Sequence, residues 1–124
     1  MSVNKPILVL INLFNQVMET IFLEIIRRGW NLTTSQVMVA MLVREGITRP
    51  SQIAVSLNVS RQAVHQTIGE LVTKGFLTTV DDADDRRAKV VSFTEAGKRL
   101  AEDLAHALRA VDADLQPLKF GAAA

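Results

Sequence analysis

A segment near the middle of the chain predicts a helix with one apolar and one hydrogen-bonding face, Ser60-Arg61-Gln62-Ala63-Val64-His65-Gln66-Thr67-Ile68-Gly69-Glu70-Leu71. Ser60 is a preferred N-cap residue, and the apolar stripe consists of Val64, Ile68 and Leu71. The positions facing away from this stripe carry hydrogen-bonding side chains, namely Arg61, Gln62, His65 and Gln66. Glutamine can bond adenine through two atoms, and arginine or histidine can bond guanine or phosphate. A solvated polar face explains the same pattern equally well, so both interpretations stay open at this point.

The sequence before this helix predicts two further helices and a tight turn. Thr33 and Gln36 have the spacing of a capping box and start a helix that runs to about Arg44. Pro50 opens a short third helix, and Asn58 ends it because asparagine tolerates the left-handed backbone of a tight turn. Two short helices joined by such a turn are the pattern of a helix-turn-helix.

A β-hairpin is predicted directly after the helix-turn-helix. Residues 76–80 and 88–93 are β-like runs on either side of a polar loop at residues 81–87. A hairpin in this place is called a wing. The predicted fold class is therefore mainly α (α+β), a winged helix-turn-helix.

The hairpin tip carries the second candidate site. Arg86 and Arg87 cannot be core residues there, and a projecting arginine suits the narrow, electronegative minor groove of DNA. The same loop holds four aspartates, which repel phosphate unless some of them hold the arginines. Asp85 is well placed to orient Arg87. A charged turn that is merely solvated is the alternative interpretation.

Long helices are predicted at both ends of the chain. The first runs from Pro6 to about Arg28, where Gly29 closes it, and the last starts at Thr94. The first helix has two adjoining apolar stripes, which together are wider than one core-facing stripe requires. We therefore expect something outside the predicted core to cover the second stripe.

Composition limits the function classes. A chain of 124 residues with 48% apolar residues fits one domain, and its formal charge of +1 is too small to mark a nucleic-acid binder by itself. Residues 49–99 are locally basic, with eight Lys or Arg against six Asp or Glu. Polar residues interrupt the apolar N-terminal segment early, so we expect neither a signal peptide nor a membrane span, and a cytoplasmic location.

Nothing in the sequence indicates catalysis or a cofactor. The chain has no cysteine, and its two histidines, His65 and His106, lie far apart without an acidic cluster of metal-ligand spacing. No segment resembles a nucleophile elbow, a paired-carboxylate site or a phosphate-binding loop. We expect no enzyme activity, no metal site and no cofactor.

Three segments resemble the MarR family of multiple antibiotic resistance regulators. They are Arg49-Pro50-Ser51-Gln52-Ile53-Ala54, Val59-Ser60-Arg61-Gln62-Ala63-Val64 and Leu71-Val72-Thr73-Lys74-Gly75-Phe76-Leu77. A further and more specific stretch is Asp84-Asp85-Arg86-Arg87-Ala88-Lys89 running into Ser92-Phe93-Thr94-Glu95-Ala96-Gly97, which is similar to the Asp-x-Arg wing and Thr-x-x-Gly helix start of that family. The resemblance covers nearly the whole chain.

The resemblance implies a dimeric regulator that binds double-stranded DNA. The helix at about residues 60–74 would lie in the major groove, and the wing at about residues 76–93 would reach the minor groove through Arg87, supported by Asp85. A single domain at residues 1–124 would hold a dimerisation helix (1–30), a winged core (31–93) and a C-terminal dimerisation helix (94–124). We expect the DNA-binding residues to be Ser60, Arg61, Gln62, His65, Gln66, Asp85, Arg86 and Arg87. We expect the homodimer residues to be Leu10, Phe14, Val17, Ile21, Leu104, Leu108, Val111 and Leu115.

Two questions stay open at the level of sequence. The low net charge and acidic wing also fit a winged-helix module that contacts another protein without binding DNA specifically, since fold does not fix function. A small-molecule effector of unknown identity is the other open partner. If there is one, the resemblance places it in a crevice between the dimer helices and the winged core.

Overall fold

A computed structural model of the chain describes residues 5–115. Its elements are α1 (Lys5–Arg27), α2 (Thr34–Arg44), α3 (Pro50–Leu57), α4 (Arg61–Thr73), β1 (Leu77–Asp81), β2 (Lys89–Phe93) and α5 (Glu95–Leu115). The chain forms two compact units. We call Asn31–Glu102 the central unit, and the chain on either side of it the terminal unit. The predicted mainly α fold class with one hairpin is confirmed.

Local signals set the helix ends of the central unit. The capping box of α2 is complete, because Gln36 N donates to Thr33 Oγ1 at 3.2 Å and Thr33 N donates to Gln36 Oε1 at 3.1 Å. Asn58 ends α3 with φ 55° and ψ 47°, the left-handed conformation that its residue type predicted. Ser60 then caps α4 by accepting from Ala63 N at 3.0 Å.

The hairpin is a two-stranded antiparallel sheet with Leu77 opposite Phe93 and Asp81 opposite Lys89. Its strands begin one residue later than predicted. The connector between α2 and α3 lies alongside it, since Val91 N donates to Thr48 O at 2.9 Å. This bond ties the middle of β2 to the connector between the two helices.

Aliphatic side chains from every element of the central unit form its core. Burying one such side chain fully stabilises the fold by roughly 1.5–3 kcal/mol. The fully buried members include Val37, Val39, Ile53, Val64, Leu71, Leu77, Val91 and Leu100. The predicted apolar face of α4 is thus buried.

The start of α5 lies unusually close to the chain that leaves α4. Thr94 Oγ1 donates to Gly75 O at 2.5 Å, Thr94 N donates to Phe76 O at 3.1 Å, and Gly97 N donates to Thr94 Oγ1. A Cβ atom on Gly97 would lie 1.9 Å from Phe76 O. The Thr-x-x-Gly spacing therefore provides a cap and the room for this close approach.

In the terminal unit, one carboxylate joins two residues that follow α1. Asp103 Oδ2 accepts from Trp30 Nε1 at 2.7 Å, and Asp103 Oδ1 accepts from Arg28 NH1 at 3.2 Å. Trp30 is partly buried. Gly29, with φ +94°, makes the turn between α1 and Trp30.

Burial divides the predicted dimerisation residues. Leu10 and Phe14 are 64% and 57% exposed, and Val17 and Leu108 are partly exposed. Three others, Ile21, Leu104 and Val111, are buried within the single chain. Because they are buried, these three do not lie on an open surface. The sequence could not predict this, since helical periodicity shows which residues share a face but not what covers that face. The side chain of Leu115, and residues 117 and 118, lie outside what the structure describes.

Most of the apolar surface of α1 is uncovered. Its exposed large side chains are Ile7, Leu8, Val9, Leu10, Ile11, Phe14, Leu23 and Ile26. By length and composition α1 could cross a membrane, with 23 residues and a mean hydropathy of 1.6 in its most apolar window. This differs from the expectation from sequence, which excluded a membrane span because polar residues interrupt the apolar segment. Length and composition alone do not separate a membrane span from a helix that another protein covers.

Candidate nucleic-acid interface

The exposed face of α4 brings together the four predicted base-reading side chains. Helical geometry places residues three and four apart on one side, so Arg61, Gln62, His65 and Gln66 form one polar surface. All four are exposed, whereas Val64, Thr67, Ile68 and Leu71 on the opposite side are buried. The core holds one face of α4 and leaves the other free for contact.

Ser60 has a structural task at the start of α4. Its hydroxyl oxygen accepts from Ala63 N at 3.0 Å, which satisfies one of the free N–H groups of the first turn. The remaining N–H groups of that turn and the positive end of the helix dipole attract an anion such as a phosphate. Arg61 lies at the same helix end and adds a full positive charge.

A depression beside Arg61 extends this surface onto α3. It is lined by Ile47, Ser51, Gln52, Val55, Ser56 and Arg61. Val55 is 82% exposed, although it is an apolar residue in a helix. The sequence predicted no contact role for these α3 residues, because hydroxyl and amide side chains on a short helix have no pattern that distinguishes them from ordinary surface.

The wing loop presents its arginines outward. The side chain of Arg87 is 96% exposed, and Arg86 is also exposed. Asp85 Oδ1 accepts from Arg87 N at 3.1 Å and lies 3.7 Å from Arg87 Nε. Asp85 therefore lies where it can orient Arg87 through both backbone and side chain.

The other wing aspartates are mostly paired with cations. Asp81 pairs with Lys89 across the hairpin, and Asp82 pairs with Arg49. Asp82 also accepts from Asp84 N at 3.0 Å. That backbone hydrogen bond, followed by the one from Arg49, lowers the pKa of Asp82 below its ordinary value. The acidic appearance of the loop thus overstates the repulsion that a phosphate would meet.

A buried glutamine ties the start of α2 to the end of α4. Gln36 is 4% exposed, and its Nε2 donates to Glu70 Oε1 at 3.0 Å. Its Oε1 accepts from Lys74 Nζ at 3.0 Å, while the same Nζ donates to Asn31 O at 2.8 Å. The capping-box spacing predicted only the local bonds of Gln36, because its bonds to α4 join residues more than 30 positions apart.

Within residues 5–115, no three acidic or histidine side chains come close enough together to hold a metal ion. His65 lies on the exposed face of α4, and His106 lies on α5 beside Arg109. Neither histidine forms part of a ligand set in the described chain.

Two short helices, a tight turn and a following hairpin define a winged helix-turn-helix. A model of the MarR family matches residues 29–88. The transcriptional regulator AdcR of Streptococcus pneumoniae is 36% identical over 72 residues, which are 58% of this chain and 49% of that protein. The fold is a winged helix-turn-helix, and the family model relates residues 29–88, just under half of the chain, to the MarR family.

Solved structures support the same fold. CouR of Rhodococcus jostii, bound to p-coumaroyl-CoA, is 21% identical with a TM-score of 0.69, over 84% of this chain and 73% of CouR. Wild-type MarR of E. coli is 16% identical with a TM-score of 0.68, over 91% of this chain and 83% of MarR. The chain spans about half the length of the curated relatives it matches. Both curated relatives carry the name of transcriptional regulators.

Proposed function

We propose that this protein is a dimeric, sequence-specific DNA-binding transcription regulator of the cytoplasm. Its recognition helix α4 lies in the major groove, with Arg61, Gln62, His65 and Gln66 toward the base edges. Its wing lies at the minor groove, with Arg86 and Arg87 toward the phosphates that line it. The observation that carries this proposal is the exposed hydrogen-bonding face of α4, opposite a buried apolar face.

The α3 depression and the start of α4 suit contacts to the DNA backbone. The first helix of a helix-turn-helix crosses the backbone while the second enters the groove. Hydroxyl and amide groups such as Ser51, Gln52 and Ser56 make phosphate contacts that fix register without reading sequence. Ser60 keeps the end of α4 in shape for the same contact.

A second copy of the chain covers the exposed part of α1 in this proposal. On α1, Leu10 and Phe14 are exposed and Val17 is partly exposed. Leu108 of α5 is also partly exposed, and the proposal includes it in the same interface. Two copies related by a two-fold axis would place their recognition helices in successive major grooves, about 34–36 Å apart. An operator with two inverted half-sites follows from this symmetry.

The wing arginine provides the direct test. We expect Arg87→Ala to weaken binding to a selected operator by about 1–3 kcal/mol, because it removes an exposed cation from the groove. The operator is first obtained by selecting bound fragments from genomic DNA at a stated salt concentration. Fluorescence anisotropy then gives the affinity at several salt concentrations. The slope of log affinity against log salt concentration reports the number of released counterions.

Arg99→Ala is the matched control for charge, because Arg99 is exposed on α5 outside the proposed interface. It should change affinity far less than Arg87→Ala. Equal affinity of Arg87→Ala and the wild type would contradict the wing contact. Absence of binding to random duplex DNA at low salt would favour the protein-contact module instead.

The dimer has its own test. Phe14→Glu places a charge on the exposed apolar surface of α1, and burying an unpaired charge in an interface costs several kcal/mol. We expect the wild type to sediment as a dimer and Phe14→Glu as a monomer at micromolar concentration. Val55→Glu is the control, since Val55 is an exposed apolar residue of α3 rather than α1. A monomeric wild type would overturn this part of the proposal.

The proposal names no chemical class for a small-molecule effector. CouR was solved with p-coumaroyl-CoA, but its likeness to this chain concerns the fold. Melting the wild-type protein with candidate ligands would detect a binder, because a ligand that binds the native state alone raises the melting temperature.

A further inference from the structure

An ion pair joins the wing loop to the start of α3. Asp82, the first residue after β1, is 8% exposed, and its carboxylate holds Arg49 and the backbone N–H of Asp84. Arg49 is the N-cap residue of α3 but makes no side-chain cap there. Its guanidinium group points to the loop instead.

Both ends of this ion pair are fixed to rigid parts of the fold. Arg49 O accepts from Gln52 N at 2.9 Å and from Ile53 N at 3.0 Å, which locks its backbone onto the first turn of α3. At the other end, Asp82 N donates to Ala88 O at 3.1 Å, directly beyond the last pair of the hairpin. The ion pair therefore bridges two anchored points.

The tip of the wing lies between these anchors. Ala88 N donates to Asp85 O at 2.9 Å, so the loop is closed from both sides, and residues 83–87 at its tip are exposed. Arg87 is five residues from Asp82 and is oriented by Asp85. Freeing the carboxylate at position 82 would release the first half of this loop from α3.

We propose that the Arg49–Asp82 ion pair is a positioning device that fixes the direction in which the wing presents Arg87 to DNA. Asp82 acts through Arg87 and need not touch DNA itself. The inference rests on the proposed DNA-binding function. It has an unusual consequence, because a negative charge in a DNA-facing loop increases affinity rather than decreasing it.

Two neighbouring aspartates separate positioning from simple electrostatics. Asp81→Asn and Asp82→Asn remove the same charge from adjacent positions, but Asp81 is exposed and pairs only with Lys89 across the hairpin in the described contacts. If only the charge mattered, both variants would bind DNA more tightly than the wild type. We expect Asp81→Asn to bind the operator as tightly as the wild type or up to about threefold more tightly, and Asp82→Asn to bind about tenfold more weakly.

A double-mutant cycle with Arg87→Ala tests whether the effect passes through the tip. If Asp82 positions Arg87, then Asp82→Asn costs less than about twofold in the Arg87→Ala background, because the group it positions is gone. A variant that is partly unfolded would lose affinity in both backgrounds. The cycle thus distinguishes positioning from a general loss of structure.

The outcomes are distinct for the two proposals. A wild type that binds neither operator nor random duplex overturns the proposed function, and this inference with it. A wild type that binds, with Asp81→Asn and Asp82→Asn shifting affinity in the same direction, overturns only the positioning role. The positioning role is also overturned if the loss of affinity in the double variant equals the product of the losses in Asp82→Asn and Arg87→Ala. Amide exchange that is faster at residues 84–88 in Asp82→Asn, and unchanged in Asp81→Asn, accompanies the supporting result.

Discussion

Replacing Gly97 by alanine should destabilise the protein strongly, against the usual preference of helices for alanine. The added Cβ would lie 1.9 Å from Phe76 O and 2.8 Å from Phe76 C, whereas ordinary van der Waals contact begins at 3.4 Å. The obstacle is backbone rather than the end of a flexible side chain. Either α5 or the entry to β1 must therefore move by more than an ångström.

The size of the effect follows from three contributions. Overpacking of this kind costs about 1–3 kcal/mol. The movement also disturbs the hydrogen bonds of Thr94 to Gly75 O and Phe76 O, each contributing about 0.5–1.5 kcal/mol. The higher helix propensity of alanine returns about 1 kcal/mol. We therefore expect Gly97→Ala to lower the free energy of unfolding by about 3 kcal/mol.

Urea denaturation followed by circular dichroism measures this loss. The protein concentration is kept fixed, because the stability of the proposed dimer would depend on it. Gly69→Ala is the matched control. Gly69 is also helical, but a Cβ there meets nothing within 4 Å, so alanine should stabilise the fold by about 0.5–1 kcal/mol. If Gly97→Ala is as stable as the wild type, the close approach of α5 to Phe76 does not limit the residue at position 97 to glycine.

Two further predictions concern buried polar groups. Gln36→Leu should lower the free energy of unfolding by about 1–3 kcal/mol in the same assay, because partners on α2 and α4 lose their hydrogen bonds, whereas Gln52→Leu at an exposed position should stay within about 0.5 kcal/mol. Equal losses of unfolding free energy in the two variants would contradict a stabilising role for the hydrogen bonds of Gln36. The lowered pKa of Asp82 stabilises the native state fully above the ordinary aspartate pKa, and this contribution is lost as pH falls through the lowered value. The difference in melting temperature between the wild type and Asp82→Asn should therefore be larger at pH 7 than at pH 3, and a difference independent of pH would refute this.

The sequence predicted the local features of the fold well. The capping box at Thr33, the left-handed turn at Asn58 and the cap at Ser60 each depend on residues within a few positions of one another. The two faces of α4 followed from its periodicity in the same way. Such features are accessible from sequence because the chain itself brings the groups together.

Long-range pairings were not accessible in this way. Asp82 could have paired with several nearby cations, and nothing in the spacing selects Arg49, which lies 33 positions away. The predicted dimerisation set was too broad for a related reason. Ile21, Leu104 and Val111 recur at helical spacing with the other predicted residues, and only the packed structure shows that the chain itself buries them.

The hydrogen bond between Trp30 and Asp103 has a practical consequence. The chain has one tryptophan and no tyrosine, so its intrinsic fluorescence comes from a single indole ring. That ring donates to a carboxylate of the same terminal unit, 73 positions further along the chain. The emission of the unlabelled protein is therefore a natural optical probe of this hydrogen bond, and it can be recorded during DNA titrations without attaching a dye.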